Sequence, residues 1–194
     1  VIEAGYNNGV HTTKDLKIKN QTLQVTANDN ALKGKDSVTI ESGSLSLISK
    51  TGDGIKTENT DVSSKGNQRG VITISGGTVL VDAPDEGIDA SYSVEINEST
   101  AETHINVLTG SYSKNGNKTT GGKGIKAEES IRISAGEVLV KSNDDNIHTN
   151  YGTILDDGNA LPEEAIGQVD LTSPRSSYPL AKRAEEYLCA LYAH

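Results

Sequence analysis

The chain contains no phenylalanine, tryptophan or methionine, and only 34% of its 194 residues are hydrophobic. A ball-shaped core of that size is hard to fill without large apolar rings. A thin architecture, in which each unit packs only on its neighbours, needs none. Cysteine occurs once, at Cys189, which excludes an internal disulfide. That count leaves the compartment open, and the abundance of Gly, Asn, Ser and Thr favours a secreted or bacterial cell-surface protein. No apolar run approaches the roughly 18 residues of a membrane span, so no membrane insertion is expected. The amino terminus lacks a signal-peptide pattern and reads as that of a mature or trimmed chain. Positive charge is short as well, since 18 Lys and Arg against 27 Asp and Glu leave a net charge of −9. That balance disfavours nucleic acid and anionic membranes, which bind through counterion release to basic surfaces. A polyanionic ligand therefore needs a bridging cation.

What the chain does have is a returning tetrapeptide. It appears as Gly9-Val10-His11-Thr12, Ala31-Leu32-Lys33-Gly34, Gly54-Ile55-Lys56-Thr57, Gly87-Ile88-Asp89-Ala90, Gly124-Ile125-Lys126-Ala127 and Asn146-Ile147-His148-Thr149. The aliphatic second members step by 22, 23, 33, 37 and 22 residues, a unit near 22 with two longer excursions. Self-similarity at such a period marks a solenoid.

Three units repeat their apolar positions at offsets 6, 8, 13 and 15 from the anchor aliphatic: Leu16, Ile18, Leu23, Val25; Val38, Ile40, Leu45, Leu47; Ile131, Ile133, Val138, Val140. A spacing of two is the strand period, so each pair predicts a short strand with its polar neighbour facing water. Between the pairs lie turn residues, Asn20-Gln21, Ser42-Gly43, Gly76-Gly77 and Ala135-Gly136, suited to a tight corner. With the anchor as a third strand, the unit predicts an all-β parallel β-helix of three short strands per rung. Paired helices are the other architecture for repeats of about 33 residues. Period-two alternation, β-branched enrichment and 20 glycines oppose it.

The pattern breaks in places. Asn59 to Arg69 and Ser111 to Gly122 read as loops. A third is expected from Tyr151 to Gly167, carrying Asp156, Asp157, Glu163 and Glu164, because the next aliphatic pair is Val169 and Leu171. Such insertions are expected to gather on one binding face. The β-helix domain is then 1–172. Residues 173–194 form a tail, either an amphipathic capping helix built on Leu180, Ala184, Tyr187, Leu188 and Leu191 or a foreign segment.

Just before each anchor the chain places carboxylates and amides: Asn7-Asn8, Asp29-Asn30, Asp53, Asp85-Glu86 and Asp144-Asp145, with Lys123 as the exception. Rungs stack ~4.8 Å apart, so these oxygens fall into one column. Repelling carboxylates favour a hard cation, and Ca2+ accepts mixed oxygen ligands with flexible geometry. Solvated turns that bond their own backbone explain the same residues without metal. Charge is densest at Asp85, Glu86, Asp89 and at Asp144, Asp145. The anchor's third member makes another column, His11, Lys33, Lys56, Asp89, Lys126, His148, in which Asp89 faces Lys56 and Lys126 as an ion-pair partner. In a lyase, Lys56 or Lys126 is instead the candidate base. Tyr92 and Tyr151 share a further column with Glu129 between them, a candidate glycan track, or edge tyrosines that cover aliphatic surface. The histidines His11, His104 and His148 show no metal-ligand spacing.

The segments Gly-Asp-Gly-Ile-Lys-Thr (52–57), Ile-Thr-Ile-Ser-Gly-Gly-Thr-Val (72–79), Gly-Lys-Gly-Ile-Lys-Ala (122–127) and Asn-Asp-Asp-Asn-Ile-His-Thr (143–149) resemble the pectate-lyase-like carbohydrate-binding domains of clostridial and related Gram-positive cell surfaces. The resemblance covers roughly residues 5 to 172. It implies a right-handed parallel β-helix, bound calcium and attachment to plant-type polysaccharide such as cellulose or polygalacturonate, with lyase ancestry but no established catalysis. Asp53, Asp85, Asp144 and Asp145 match the family's pre-anchor motif; Asn8 and Lys123 depart from it. The expectation is a monomeric, calcium-dependent carbohydrate-binding module. A calcium-dependent pectate lyase and a structural stalk or adhesin are the alternatives.

Overall fold

The computed structural model describes residues 1–117 and 121–155. The expected tail at 173–194, its capping helix, the domain end at 172 and most of the loop to Gly167 lie outside the described residues.

Three parallel six-stranded sheets wrap one core. The anchor sheet consists of β2 (Val10–Thr12), β5 (Leu32–Gly34), β8 (Ile55–Lys56), β11 (Ile88–Ala90), β14 (Ile125–Ala127) and β17 (Ile147–Thr149). The middle sheet holds β3 (Asp15–Ile18), β6 (Ser37–Ile40), β9 (Val71–Ile74), β12 (Ser93–Ile96), β15 (Ser130–Ile133) and β18 (Gly152–Leu155). The long sheet holds β1 (Ile2–Ala4), β4 (Gln21–Ala27), β7 (Gly43–Ser49), β10 (Gly77–Ala83), β13 (Thr103–Thr109) and β16 (Glu137–Lys141). Each turn of the chain contributes one strand to each sheet, which is the three-strand rung of a parallel β-helix.

The anchor aliphatics form one continuous file, Val10, Leu32, Ile55, Ile88, Ile125, Ile147. Leu32, Ile55, Ile88 and Ile125 are fully buried, whereas Val10 and Ile147 are half-buried because each ends the stack. Such residues contribute about 1.5–3 kcal/mol each by leaving water. The inward faces of all three sheets turn onto one shared interior, which is why the inward positions are almost purely aliphatic.

Glycine before the anchor has a packing cause. A Cβ on Gly87 would lie 2.2 Å from Val107 Cγ1 and 2.7 Å from the Gly124 carbonyl; Gly54 and Gly124 meet Val81 and Val140 in the same way. The last inward valine of the long strand fills the space a side chain would need. At the corner into the long sheet, Gly43, Gly77 and Gly136 take φ of 121°, 96° and 100°, values that cost a side chain dearly. In the first rung Asn20 does this with φ 54°.

Two expectations fail. The sixth rung is not interrupted at Tyr151: β18 pairs with β15 on schedule, Thr153 against Ile131 and Leu155 against Ile133. Threonine stands where an aliphatic was sought, and that hid the strand. The insertions also do not share a face. Residues 57–70 leave the corner between anchor and middle sheets, 97–102 the corner between middle and long sheets, and 110–124 the corner between long and anchor sheets. The first carries a small antiparallel bridge, Val62 with Gln68.

Candidate functional site

The corner leading into the anchor sheet stacks one residue per rung. Backbone bonds Gly9 N to Asn30 O, Ala31 N to Asp53 O, Gly54 N to Glu86 O, Gly87 N to Lys123 O and Gly124 N to Asp145 O align Asn8, Asn30, Asp53, Glu86, Lys123 and Asp145. Three residues further on, strand pairing aligns His11, Lys33, Lys56, Asp89, Lys126 and His148. The two columns run side by side on the outer face of the anchor sheet.

In the first rungs the corner column is an amide ladder. Asn30 Nδ2 donates to Asn8 Oδ1 at 2.7 Å, the Asp53 amide donates to Asn30 Oδ1 at 2.9 Å, and the Glu86 amide donates to Asp53 Oδ1 at 3.0 Å. From Asp53 onward it becomes a charge ladder. Lys56 Nζ lies 2.5 Å from Asp53 Oδ2 and 2.9 Å from Asp89 Oδ2, and Lys126 Nζ lies 3.5 Å from Asp89 Oδ1 and 3.8 Å from Glu86 Oε1. One aspartate is thus clasped between lysines of the rungs on either side.

Asp53, Glu86 and Asp89 each offer a carboxylate oxygen, and these atoms lie within 4.8 Å of one another. Burial pushes the Asp53 carboxyl up, with Lys56 opposing. Glu86 is pushed up to about 8, first by burial, then by Asp85 and Asp53. Burial alone would lower both lysines, but the facing carboxylates outweigh it. Lys56 ends raised by Asp53 and Asp89, and Lys126 by Asp89 and Glu86. A general base needs the opposite shift; here both ammonium groups are held by facing carboxylates.

Of the residues the sequence offers for metal, the fold therefore gathers Asp53, Glu86 and Asp89. Asp85 is exposed beside them. Asp144 and Asp145 stand two rungs from Glu86, where Lys123 pairs with both and Asp145 Oδ2 lies 2.9 Å from His148 Nδ1. Lys123, the exception in the motif, is thus the counter-ion of that pair. The oxygen-only donor set of the first cluster suits a hard cation, which has to displace lysine ammoniums that are each 27% exposed.

Tyr92, Glu129 and Tyr151 fall in register as the column expected of them: the Glu129 amide donates to Tyr92 O at 2.8 Å, and the Gly152 amide to Glu129 O at 3.3 Å. They border the anchor sheet on the side away from the carboxylates. Tyr151 is exposed, while Tyr92 and Glu129 are half-buried.

Two clusters have no signal in the repeat. Asp36 is held below the usual carboxylate range by the Asn59 amide, then by Arg69 and Lys14, and it ties down the 57–70 loop. Asp82 accepts hydrogen bonds from the Ser113 hydroxyl, the Lys114 amide and Asn115 Nδ2, tying down the 110–124 loop. Both link a rung to an insertion, and such a pairing leaves no periodic trace.

A family model described as carbohydrate-binding domain-containing protein matches residues 1–165, a span that includes all six anchors and every column above. The chain belongs to this family. No curated protein and no solved structure matches it. Carbohydrate is thus the ligand class of this carbohydrate-binding domain; the description names neither pectate nor lysis. Among the described residues no helix is long and apolar enough to cross a membrane.

Proposed function

We propose that this domain is a secreted or cell-surface module that binds acidic or plant-type polysaccharide, such as polygalacturonate or cellulose, along the anchor-sheet face with the help of calcium. The observation that carries the reading is the convergence of Asp53 from one rung with Glu86 and Asp89 from the next. Oxygens so placed repel one another, and Glu86 resolves the repulsion by holding a proton near neutral pH. Calcium at Asp53, Glu86 and Asp89, with Asp85 adjacent, would replace that proton and present positive charge to a uronate. A protein of net charge −9 requires such a bridge to hold a polyanion. Tyr92, Glu129 and Tyr151 form the second rail of the face, where tyrosine rings meet sugar C–H groups. Lys56 and Lys126 keep the carboxylates in place until the cation arrives, and no proton abstraction is assigned to them.

Retention on immobilised polygalacturonate, with calcium and with chelator, tests the reading. The wild-type domain is expected to be retained in calcium and released by chelator, and the Glu86→Gln/Asp89→Asn variant to be released in both. Retention that ignores chelator and variant alike contradicts it.

A further inference from the structure

The long sheet carries a second face of different chemistry. The middle file of its outward residues runs Gln24, Ser46, Leu80, Asn106 and Leu139 across β4, β7, β10, β13 and β16. None of the five is charged, in a protein with 23% charged residues. Leu80 and Leu139 are each 47% exposed. They stand two rungs apart, hence roughly 9–10 Å, with Asn106 between them.

The surface is indented on both sides of Leu80 and Asn106. One hollow of 210 Å3 extends to Leu108 and to a wall made by Lys114 and Asn115; another of 140 Å3 extends to His104 and Leu139. The wall is fixed in place. Asp82 accepts from Ser113 at 2.6 Å, from the Lys114 amide at 3.0 Å and from Asn115 at 2.5 Å.

Asn106 adds an independent observation. Its Oδ1 is buried and, among the described residues, has no hydrogen-bond partner. An orphaned carbonyl of this kind is unfavourable and calls for a donor. The side-chain amide torsion of asparagine is soft, so a small rotation turns the oxygen toward a hydroxyl lying in the hollow.

We propose that this strip binds a flat, uncharged glycan chain directly, without a cation. A rung advances by about the length of one sugar residue, ~4.8 Å. Leucine at every second rung therefore meets alternate rings of an extended β-linked chain through their C–H faces, and the ring between them turns a hydroxyl to Asn106. Charge decides between glycans. The five residues of the strip itself are uncharged, with Lys114 and Asp82 at the edge of one hollow and His104 and Glu137 at the edge of the other. The acidic protein as a whole repels a polyuronate, whereas an uncharged chain loses nothing on approach.

The strip and the calcium proposal stand on different sheets and are separable. The test measures retention on insoluble cellulose and titration with cellohexaose, both in chelator, for the wild type and the Leu80→Asn/Leu139→Asn and Asn106→Ala variants. Both leucines are half exposed, so the variants are expected to fold, and their thermal melts check this. Wild-type binding in chelator, weakened tenfold or more by the leucine variant and several-fold by Asn106→Ala, with calcium-dependent polygalacturonate retention unchanged, supports the strip. No cellulose binding in chelator, or binding indifferent to the variants, overturns it. So does a wild-type dimer in sedimentation that the leucine variant makes monomeric, because the strip then pairs two copies of the chain.

Discussion

Lys56 and Asp89 stand 33 residues apart in the chain and 2.9 Å apart in space, joined because each third anchor residue lies directly over that of the preceding rung. The pair shows how a solenoid converts sequence period into electrostatics. Lys56 also reaches Asp53 within its own rung, and Asp89 also reaches Lys126 in the next. Four ions thus alternate in sign across three rungs.

Removing the shared anion leaves two half-buried lysines facing each other. Asp89→Ala is expected to lower unfolding free energy by about 2–4 kcal/mol, as for a partly buried pair broken on one side, read as a lower urea midpoint. The outer pairs Lys17–Glu41 and Lys19–Glu41, with lysines about 60% exposed, should by comparison shift the urea midpoint little when cut.

Glu86 makes cation binding and stability pH-dependent in opposite senses. Its folded-state value near 8 exceeds the ordinary 4.5, so the folded protein holds a proton that the unfolded chain releases between those values. Its contribution to cation-free stability is full below the ordinary glutamate range and is lost as pH rises through about 8. Glu86→Gln should abolish that decline in urea midpoints between pH 5 and 9. Calcium, by contrast, must displace the proton, so wild-type affinity is expected to rise with pH, by up to about tenfold per unit below 8. A flat affinity profile would remove the assignment.

The pre-anchor glycines are expected to resist the smallest substitution. Gly87→Ala places a methyl group 2.2 Å from Val107 Cγ1, so a loss of about 1–3 kcal/mol is expected from overpacking. Val107→Ala in the same chain should recover part of it. Additive losses in the double variant would show that the two positions do not share that space.

Both lysines offered as bases are held protonated, which predicts no unsaturated product when polygalacturonate is incubated with the domain and calcium. Ultraviolet absorbance of the supernatant is the readout. A rising signal that Lys56→Met or Lys126→Met abolishes would restore the lyase reading.

The rod was legible because five inward positions repeat at fixed offsets, and the same regularity revealed that Asp89 faces Lys56 and Lys126. Where one residue left the pattern the reading failed: Thr153 replaced an aliphatic, so β18 passed for a loop. The corner column was legible as a file of oxygens, but not its division into an amide ladder from Asn8 to Asp53 and a charge ladder beyond. That division rests on Lys56 and Lys126, which reach Asp53, Asp89 and Glu86 across rungs; Lys123, which departs from the motif, separately neutralises Asp144 and Asp145. The long-sheet strip was hidden for another reason. Its outward leucines alternate with polar neighbours along the file and not along the chain, so only strand register brings Leu80, Asn106 and Leu139 into line.

Calorimetric titration of calcium into the cation-free domain at pH 8 tests the central claim most directly. The account predicts saturable binding to the wild type that the Glu86→Gln/Asp89→Asn variant loses and an Asp144→Asn variant keeps. Equal heats from the wild type and the double variant, or no heat from either, would contradict it.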